Sequence, residues 1–359
     1  MSHMFVPGPV DVAPEVLEVM AKPMIPHRSK EYEAIHRSAA EKSQKVFYTE
    51  YRVFIGTHSG SGMQETGVRN LASQDVLCCM NGAFSKRFYD VAVSNGKQTD
   101  KLEAEWGKAL RPEQLKDALK KKRYEAVTIV HNETSTGIEN PVREMAEVIR
   151  EASPDTFILV DAVSSLAGTK IEMDAWGIDF LLTSSQKCLA LPPGLSLAGV
   201  NDRAMAKAAT VENRGWYFDL LLMEKHRLKD TTAMTPVVSL VYALDFQLDR
   251  ILAEGLDARF MRHAAMSQRV YDWSMEHGMK PFAEDGYRSK TVATISNDLN
   301  LDISAMNKFL MANYDMRISN GYGDLKDKTF RIATMGETTL DDVNLLLEGM
   351  EKFIAESGK

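Results

Sequence analysis

The segment TSSQKCLALPPG, residues 183–194, places Lys187 directly after a run of apolar residues that is typical of a buried strand. Small polar residues precede the lysine, and a Pro-Pro-Gly turn follows it. A lysine that needs only solvent usually lies on a helix face, whereas a lysine at the end of a buried strand either extends to solvent or is reactive. Taken alone, Lys187 is more often an ordinary lysine, so its neighbours must decide.

Two further stretches supply chemistry that complements a reactive lysine. Asp161 ends another apolar run, and the glycine-rich turn GSG at residues 60–62 leads into a helical pattern. A lysine amine condenses with an aldehyde, a buried carboxylate pairs with a pyridinium nitrogen, and a glycine-rich helix start binds phosphate. These are three requirements of pyridoxal 5′-phosphate. Each stretch also has a plainer interpretation, since Asp161 could be a structural turn or cap residue and GSG a simple turn.

Apolar strand patterns alternate with helical patterns over the first 200 residues. Strands are predicted at residues 75–81, 125–132, 156–163, 179–185 and 195–201, and helices at 14–22, 30–45, 113–122 and 141–152. Continuous apolar strands separated by helices predict an α/β fold, with a mostly parallel sheet covered by helices on both faces. Ligands bind outside the carboxyl ends of such strands, where Lys187 and Asp161 lie.

The pattern changes near residue 250, where a long helical stretch (251–277) begins. A strand pattern KTVATISN, a helix at 302–313, the stretch KTFRIATMG and a final helix at 338–356 follow it. We therefore predict an N-terminal arm (1–20), a large domain (21–250) that binds the cofactor, and a smaller C-terminal α+β domain (251–359).

Composition excludes several classes of protein. The 359 residues are 44% hydrophobic, and the net charge of −7 without a long basic run argues against nucleic acid as a partner. No apolar stretch reaches the roughly 18–20 residues that span a bilayer. The cysteine count of three is odd and two of the cysteines are adjacent, which favours a reducing cytoplasm over a disulfide framework. No residue spacing suggests a metal site.

An ordered set of motifs resembles the class V aminotransferases among the fold-type-I pyridoxal-phosphate enzymes, and most closely the alanine/serine–glyoxylate (serine–pyruvate) group. The motifs run over nearly the whole chain: PGPV, HRSKEYEAI (27–35), GSGMQ (60–64), NGAFSKR (81–87), HNETSTG (131–137), VDAVSSLAG (160–168), SSQK (184–187), TPVVSLVYAL (235–244) and FRIATMG (330–336). Each motif is weak alone, and their order makes the set specific.

The resemblance implies a role for each matching residue. Lys187 matches the lysine that forms a Schiff base with the cofactor, and Asp161 matches the partner of the ring nitrogen. Arg331 matches the arginine that binds the substrate carboxylate, and Gly8 matches a substrate contact. The remaining matches are cofactor contacts: Ser61, Gly62 and Met63 in the phosphate loop, Phe84 and Val163 on the two ring faces, Thr134 near the ring oxygen, and Gln186 and Thr235 at the phosphate. Met63 replaces a common histidine and Phe84 a common tryptophan or tyrosine.

The implied activity is a ping-pong transamination from a small amino acid, by default alanine or serine, to glyoxylate or pyruvate. Thr235 matches a residue that reaches the neighbouring subunit's cofactor, so a homodimer with shared sites is expected. Four alternatives remain: an aminotransferase for aspartate or another small donor, an aminotransferase for a phosphonate amine, a lyase of the cysteine-desulfurase type and a catalytically silent relative. The lyase needs a thiol after the lysine, and no cysteine follows Cys188.

Overall fold

The computed structural model describes residues 3–358. Their strands are β1 (His3–Phe5), β2 (Arg52–Gly56), β3 (Asp75–Met80), β4 (Gln98–Glu103), β5 (Ala126–Val130), β6 (Asn132–Glu133), β7 (Ile138–Glu139), β8 (Phe157–Asp161), β9 (Phe180–Ser184), β10 (Ser196–Val200), β11 (Val292–Ser296), β12 (Met316–Asn320) and β13 (Thr329–Ala333). Their α-helices are α1 (Pro14–Met20), α2 (Lys30–Phe47), α3 (Gly60–Leu71), α4 (Ala83–Ser94), α5 (Pro112–Lys121), α6 (Val142–Ala152), α7 (Asp202–Ala208), α8 (Leu220–Arg227), α9 (Val238–Glu254), α10 (Leu256–Glu276), α11 (Ile303–Tyr314) and α12 (Leu340–Glu356).

Seven strands form the large sheet, in the order β2-β10-β9-β8-β5-β3-β4. The neighbours from β9 to β4 pair in parallel, whereas β10 is antiparallel to both β9 and β2. The prediction of a mostly parallel sheet is therefore confirmed. Because β5, β8 and β9 run the same way, their carboxyl ends meet at one edge.

Both faces of this sheet are covered. In β3, Leu77 and Cys79 belong to one buried cluster, while Val76 and Cys78 belong to another on the opposite face. The same alternation occurs in β8, where Ile158 packs with the first cluster and Leu159 with the second. Such strands read as continuous apolar runs, because neither face needs polar side chains. All three cysteines are buried and free.

A second, four-stranded sheet has the order β1-β12-β13-β11. Strand β1 pairs in parallel with β12, and Phe5 is buried in the core that α10, α11 and α12 share with this sheet. The N-terminal segment is thus not a free arm: from His3 it is tied to its own chain. Met1 and Ser2 lie outside the described residues. The division into arm, large domain and small domain remains a prediction.

The helix predicted at 251–277 is in fact two helices that meet at Gly255. Helix α9 ends at Glu254 and α10 begins at Leu256, while Gly255 has a φ of 85°, a conformation that favours glycine. The residue 250 chosen as a domain boundary lies inside α9. Within residues 3–358, no helix is long and apolar enough to cross a membrane.

Candidate active site

A cavity of about 480 Å³ opens where β5, β8 and β9 end. Seven of the residues predicted from the sequence line it: Ser61, Phe84, Thr134, Asp161, Val163, Gln186 and Lys187. They come from segments that are far apart in the chain, and the parallel topology brings them to one edge.

Lys187 is buried at the floor of this cavity, with 5% of its surface exposed. Its Nζ donates to Ser164 Oγ at 2.9 Å and to Thr134 Oγ1 at 3.3 Å, and these two hydroxyls also contact each other. Burial lowers the pKa of Lys187 to about 8. The amine is therefore neutral in a far larger fraction of molecules at pH 7 than an exposed lysine, and a neutral amine can act as a nucleophile or a base.

Asp161 is also buried, and two donors fix its carboxylate. Gln64 Nε2 donates to Oδ2 at 2.6 Å, and the Val163 N–H donates to Oδ1 at 2.8 Å. Burial raises the pKa of Asp161 to about 6, an effect that these two hydrogen bonds only partly offset. A cationic ring nitrogen beside this carboxylate would favour its charged form, so the environment suits a charge partner.

The polar groups of the cavity fit a polar ligand. Gln64 Oε1, Asn132 Oδ1 and Ser184 Oγ are buried without a hydrogen-bond partner in the described chain, and all three residues line the cavity. Such groups are costly unless something satisfies them. A Cβ on Gly60 would come within 2.8 Å of Val163 Cγ2, so glycine keeps this wall open. The residues present therefore fit pyridoxal phosphate: an amine for its aldehyde, a carboxylate for its ring nitrogen and a helix start for its phosphate.

The helix start that would face the phosphate is the first turn of α3. Gly60 and Ser61 head the helix, where N–H groups lack acceptors within the helix. The N–H groups of Gly62 and Met63 instead bond to the Ser59 carbonyl. The structure does not bring the Met63 side chain to the cavity, because it is fully buried in the core beneath the helix. Gly62 does not line the cavity either, since His58 lies against it.

Glu133 holds the N-terminus of α4, the helix that carries Phe84. Its buried carboxylate accepts hydrogen bonds from the Ser85 N–H at 2.8 Å and from Ser135 Oγ at 2.7 Å, and so it caps the first turn of α4. Phe84 lies in that turn, with its ring centroid 5.4 Å from Lys187 Nζ. Glu133 lies in the motif HNETSTG, and the cap gives it a definite supporting role in the site.

Arg331 on β13 lies beside this cavity. Its Nε donates to the Asn320 carbonyl at 3.1 Å, its Nη1 reaches the Thr134 carbonyl at 3.4 Å, and its guanidinium stacks 5.4 Å from the centre of the Tyr322 ring. It is 8% exposed, and burial lowers its pKa to about 10. No ion pair involves Arg331 within residues 3–358. A buried arginine without an ion-pair partner is suited to bind an anionic ligand.

Two other predicted residues lie at different distances from Lys187. Gly8 is in direct contact with it, because a Cβ at Gly8 would lie 3.1 Å from Lys187 Cε. Thr235 is exposed and does not line the Lys187 cavity of its own chain. If Thr235 contributes to a site, that site belongs to another subunit.

The sequence interpretation missed three residues that shape the site: Gln64, Ser164 and Tyr322. Gln64 and Ser164 lie inside the motifs GSGMQ and VDAVSSLAG, so their position was a usable signal. The signal for Tyr322 is weaker, because it precedes Arg331 by nine residues in a loop. Its ring lies 5.4 Å from the Phe84 ring, so the two aromatics and Arg331 form one continuous wall.

Comparison with known proteins agrees with this geometry. The family model described as aminotransferase class-V matches residues 20–296. An uncharacterised aminotransferase of Methanocaldococcus jannaschii is 36% identical, over 99% of this chain and 95% of its own. The L-aspartate–glyoxylate aminotransferase of Paracoccus denitrificans is 30% identical, over 93% and 86% of the two chains. The crystal structure of the alanine–glyoxylate aminotransferase of Nostoc superposes with a TM-score of 0.92 at 29% identity, over 98% and 95%.

Proposed function

Because the chain belongs to the class-V aminotransferases and is a transaminase, we propose that it binds pyridoxal phosphate in the Lys187 cavity. There it moves the amino group of a small amino acid to glyoxylate or pyruvate. The observation that carries the proposal is the pairing of Lys187 and Asp161 in one buried cavity. Burial displaces the pKa values of these two side chains towards each other. Perturbed groups that converge in a cleft are typical of catalytic sites.

Each buried group has a task in this reaction. When bound, pyridoxal phosphate supplies an aldehyde that accepts an amine and a ring that withdraws electrons from the substrate's α-carbon. Asp161 keeps a proton on the ring nitrogen, which preserves that electron withdrawal. With the cofactor bound, Lys187 would be the base that takes a proton from the substrate's α-carbon, and it would hold that proton for return during the reaction of the second substrate. Ser164 and Thr134 hold the lysine Nζ in place through hydrogen bonds to their hydroxyls.

Arg331 is the proposed ligand for the α-carboxylate that every amino acid and 2-oxo acid substrate carries. The guanidinium is planar and fits a carboxylate with two parallel hydrogen bonds. Its backbone contacts and the Tyr322 ring hold it in one orientation. Gly8 packs against Lys187, and its lack of a side chain leaves space there for a substrate.

The amino donor is the finer part of the proposal. The two similar proteins with named substrates share glyoxylate as acceptor, while one takes aspartate and the other alanine. We propose alanine or serine as donor and keep aspartate as the alternative. The test is a panel of alanine, serine, aspartate and glutamate against glyoxylate, pyruvate and 2-oxoglutarate. Alanine or serine with glyoxylate should give the highest kcat/KM, and a panel without any product would contradict the proposal.

Replacement of Arg331 should impair substrates that carry an α-carboxylate much more than amines that lack one. We expect Arg331→Ala and Arg331→Lys to raise KM for amino acids and 2-oxo acids roughly 30- to 1,000-fold, because a charged bidentate contact is lost. Amines without an α-carboxylate should be affected much less. The measurement is steady-state kinetics for alanine and for ethylamine, with the exposed Arg143→Ala as control. Equal losses for both amines would make Arg331 a structural residue.

We propose further that the enzyme is a cytoplasmic homodimer in which each subunit completes the other's site. Thr235 is exposed and does not line the cavity of its own chain, as such a role requires. Large apolar side chains are exposed in the stretch of chain that leads to Thr235, with Trp216 68% and Leu228 70% exposed. Exposed apolar groups of this size support an interface. A closed two-fold dimer is the commonest arrangement, and buried free cysteines support a reducing compartment.

Mixing two inactive variants tests the shared site. A Lys187→Ala chain refolded together with a Thr235→Glu chain should regain activity, because each mixed dimer then has one site with both changes and one site with neither. Up to half of the sites in mixed dimers should be active, counted by single-turnover burst amplitude. Native mass spectrometry of differently tagged chains establishes that mixed dimers are present. If they form and no activity returns, each site is built from one chain.

A further inference from the structure

The proposed cofactor brings a phosphate with close to two negative charges into the cavity, yet the residues predicted to bind that phosphate are neutral. They are Ser61, Gln186, the backbone at the head of α3 and Thr235, which is expected to come from a neighbouring subunit. Met63, the other member of the predicted phosphate loop, is buried in the core. Lys187 is the residue proposed to react with the cofactor's aldehyde, so it is not assigned to the phosphate. Neutral donors and a helix terminus can bind an anion, but a nearby cation strengthens such a site considerably.

Arg87 is the other cationic side chain that lines the cavity. Its Nη1 lies 3.5 Å from Ser61 Oγ, at the head of α3, and its guanidinium carbon lies 4.8 Å from the centre of the Phe84 ring. Arg87 follows Phe84 by three residues, so both lie on one face of α4. The guanidinium therefore lies close to both the aromatic ring and the phosphate loop.

Arg87 also lacks a counter-charge of its own. Within residues 3–358 no ion pair involves it, whereas its neighbour Lys86 pairs with Asp90 at 2.7 Å on the solvent side. The carboxylates nearest the cavity are already engaged, Asp161 by Gln64 and Val163 and Glu133 by the first turn of α4. A half-buried guanidinium beside the helix start therefore faces a position where an anion would satisfy it.

We propose that Arg87 is the cationic ligand of the cofactor's phosphate. The guanidinium supplies parallel N–H donors that match phosphate oxygens, and its charge offsets that of the phosphate. The inference rests on the proposed function, since it concerns the same cofactor. The rival role is recognition of the distal carboxylate of an acidic donor such as aspartate. The contact with Ser61 at the head of α3 favours the phosphate.

The experiment compares two ligands that differ only in the phosphate. Equilibrium binding of pyridoxamine 5′-phosphate and of pyridoxamine to the cofactor-free protein is measured by fluorescence for the wild type, Arg87→Gln and Arg87→Lys. Neither ligand has an aldehyde, so the lysine bond does not contribute. We expect Arg87→Gln to lower the affinity for pyridoxamine phosphate roughly 10- to 100-fold, because one charged hydrogen-bonding group is lost. The affinity for pyridoxamine should not change. Arg87→Lys should lie between Arg87→Gln and the wild type.

Lys86→Gln, one residue away on the same helix, is the matched control and should bind both ligands like the wild type. Two results would overturn the proposal: unchanged affinity of Arg87→Gln for pyridoxamine phosphate, or equal weakening of both ligands. Unchanged phosphate binding together with a raised KM for aspartate but not for alanine would assign Arg87 to the substrate. A wild type that binds neither pyridoxal phosphate nor pyridoxamine phosphate would instead contradict the proposed function.

Discussion

Lys187→Ala should lower the rate of transamination by roughly 10⁴-fold or more, because the variant loses both the nucleophile that holds the cofactor and the base that moves the α-proton. The site offers no substitute. Among the residues that line the cavity, Arg87 is the only other cation, and a guanidinium does not act as a base near pH 7. The measurement is the single-turnover rate of the half-reaction with alanine, followed by the absorbance change of the cofactor.

Two controls distinguish this effect from a loss of structure. Pyridoxamine phosphate should still bind to Lys187→Ala, since the phosphate and ring contacts remain. Lys170→Ala, which removes an exposed lysine paired with Glu172, should react like the wild type. A Lys187→Ala variant that binds pyridoxamine phosphate and retains more than about one-tenth of the wild-type rate would contradict the assignment.

Asp161→Ala should lower the single-turnover rate roughly 10²- to 10³-fold, the loss seen when one group that stabilises the transition state is removed. Without the carboxylate, the ring nitrogen loses its proton more readily and the ring withdraws electrons less strongly. Asp161→Asn should be impaired similarly, because an amide can bond to Gln64 but carries no charge. The effect should fall on the rate, and binding of pyridoxamine phosphate should change much less.

The exposed Asp155→Ala provides the control for Asp161, since it lies just before the same strand, β8, and faces solvent. A near-normal rate for Asp161→Ala, in protein shown to bind cofactor, would remove Asp161 from the mechanism. A loss of cofactor binding without a change in rate of the occupied sites would make it a binding residue only.

The parts of the fold that could be predicted from the sequence are those whose hydrophobic pattern is set within a short segment. The strands buried on both faces, such as β5, β8 and β9, read as continuous apolar runs. Strand β4 (QTDKLE) was missed, because it lies at the sheet edge and its residues are exposed or half-buried, without an apolar run. Strand β12 was missed as well, since its residues are mixed in polarity and its place depends on β1, which lies more than 300 residues earlier.

The candidate site, too, could be predicted from the sequence only in part. Lys187 and Asp161 could be predicted because each follows an apolar strand directly. The partners that hold them could not, because Gln64 is 97 residues from Asp161, and Ser164 is 23 from Lys187. The position of Met63 was open to prediction: with Val68 and Leu71 it forms an apolar face of α3, and this face packs into the core.

Reduction of the wild-type protein with borohydride determines whether Lys187 carries the cofactor. Borohydride fixes a carbon–nitrogen bond between a lysine and pyridoxal phosphate, and peptide mass spectrometry then locates it. We expect one modified lysine per chain, Lys187, and no modification after reduction of Lys187→Ala. A cofactor fixed to a different lysine, or protein that is loaded with pyridoxal phosphate but gains no adduct, would contradict this assignment.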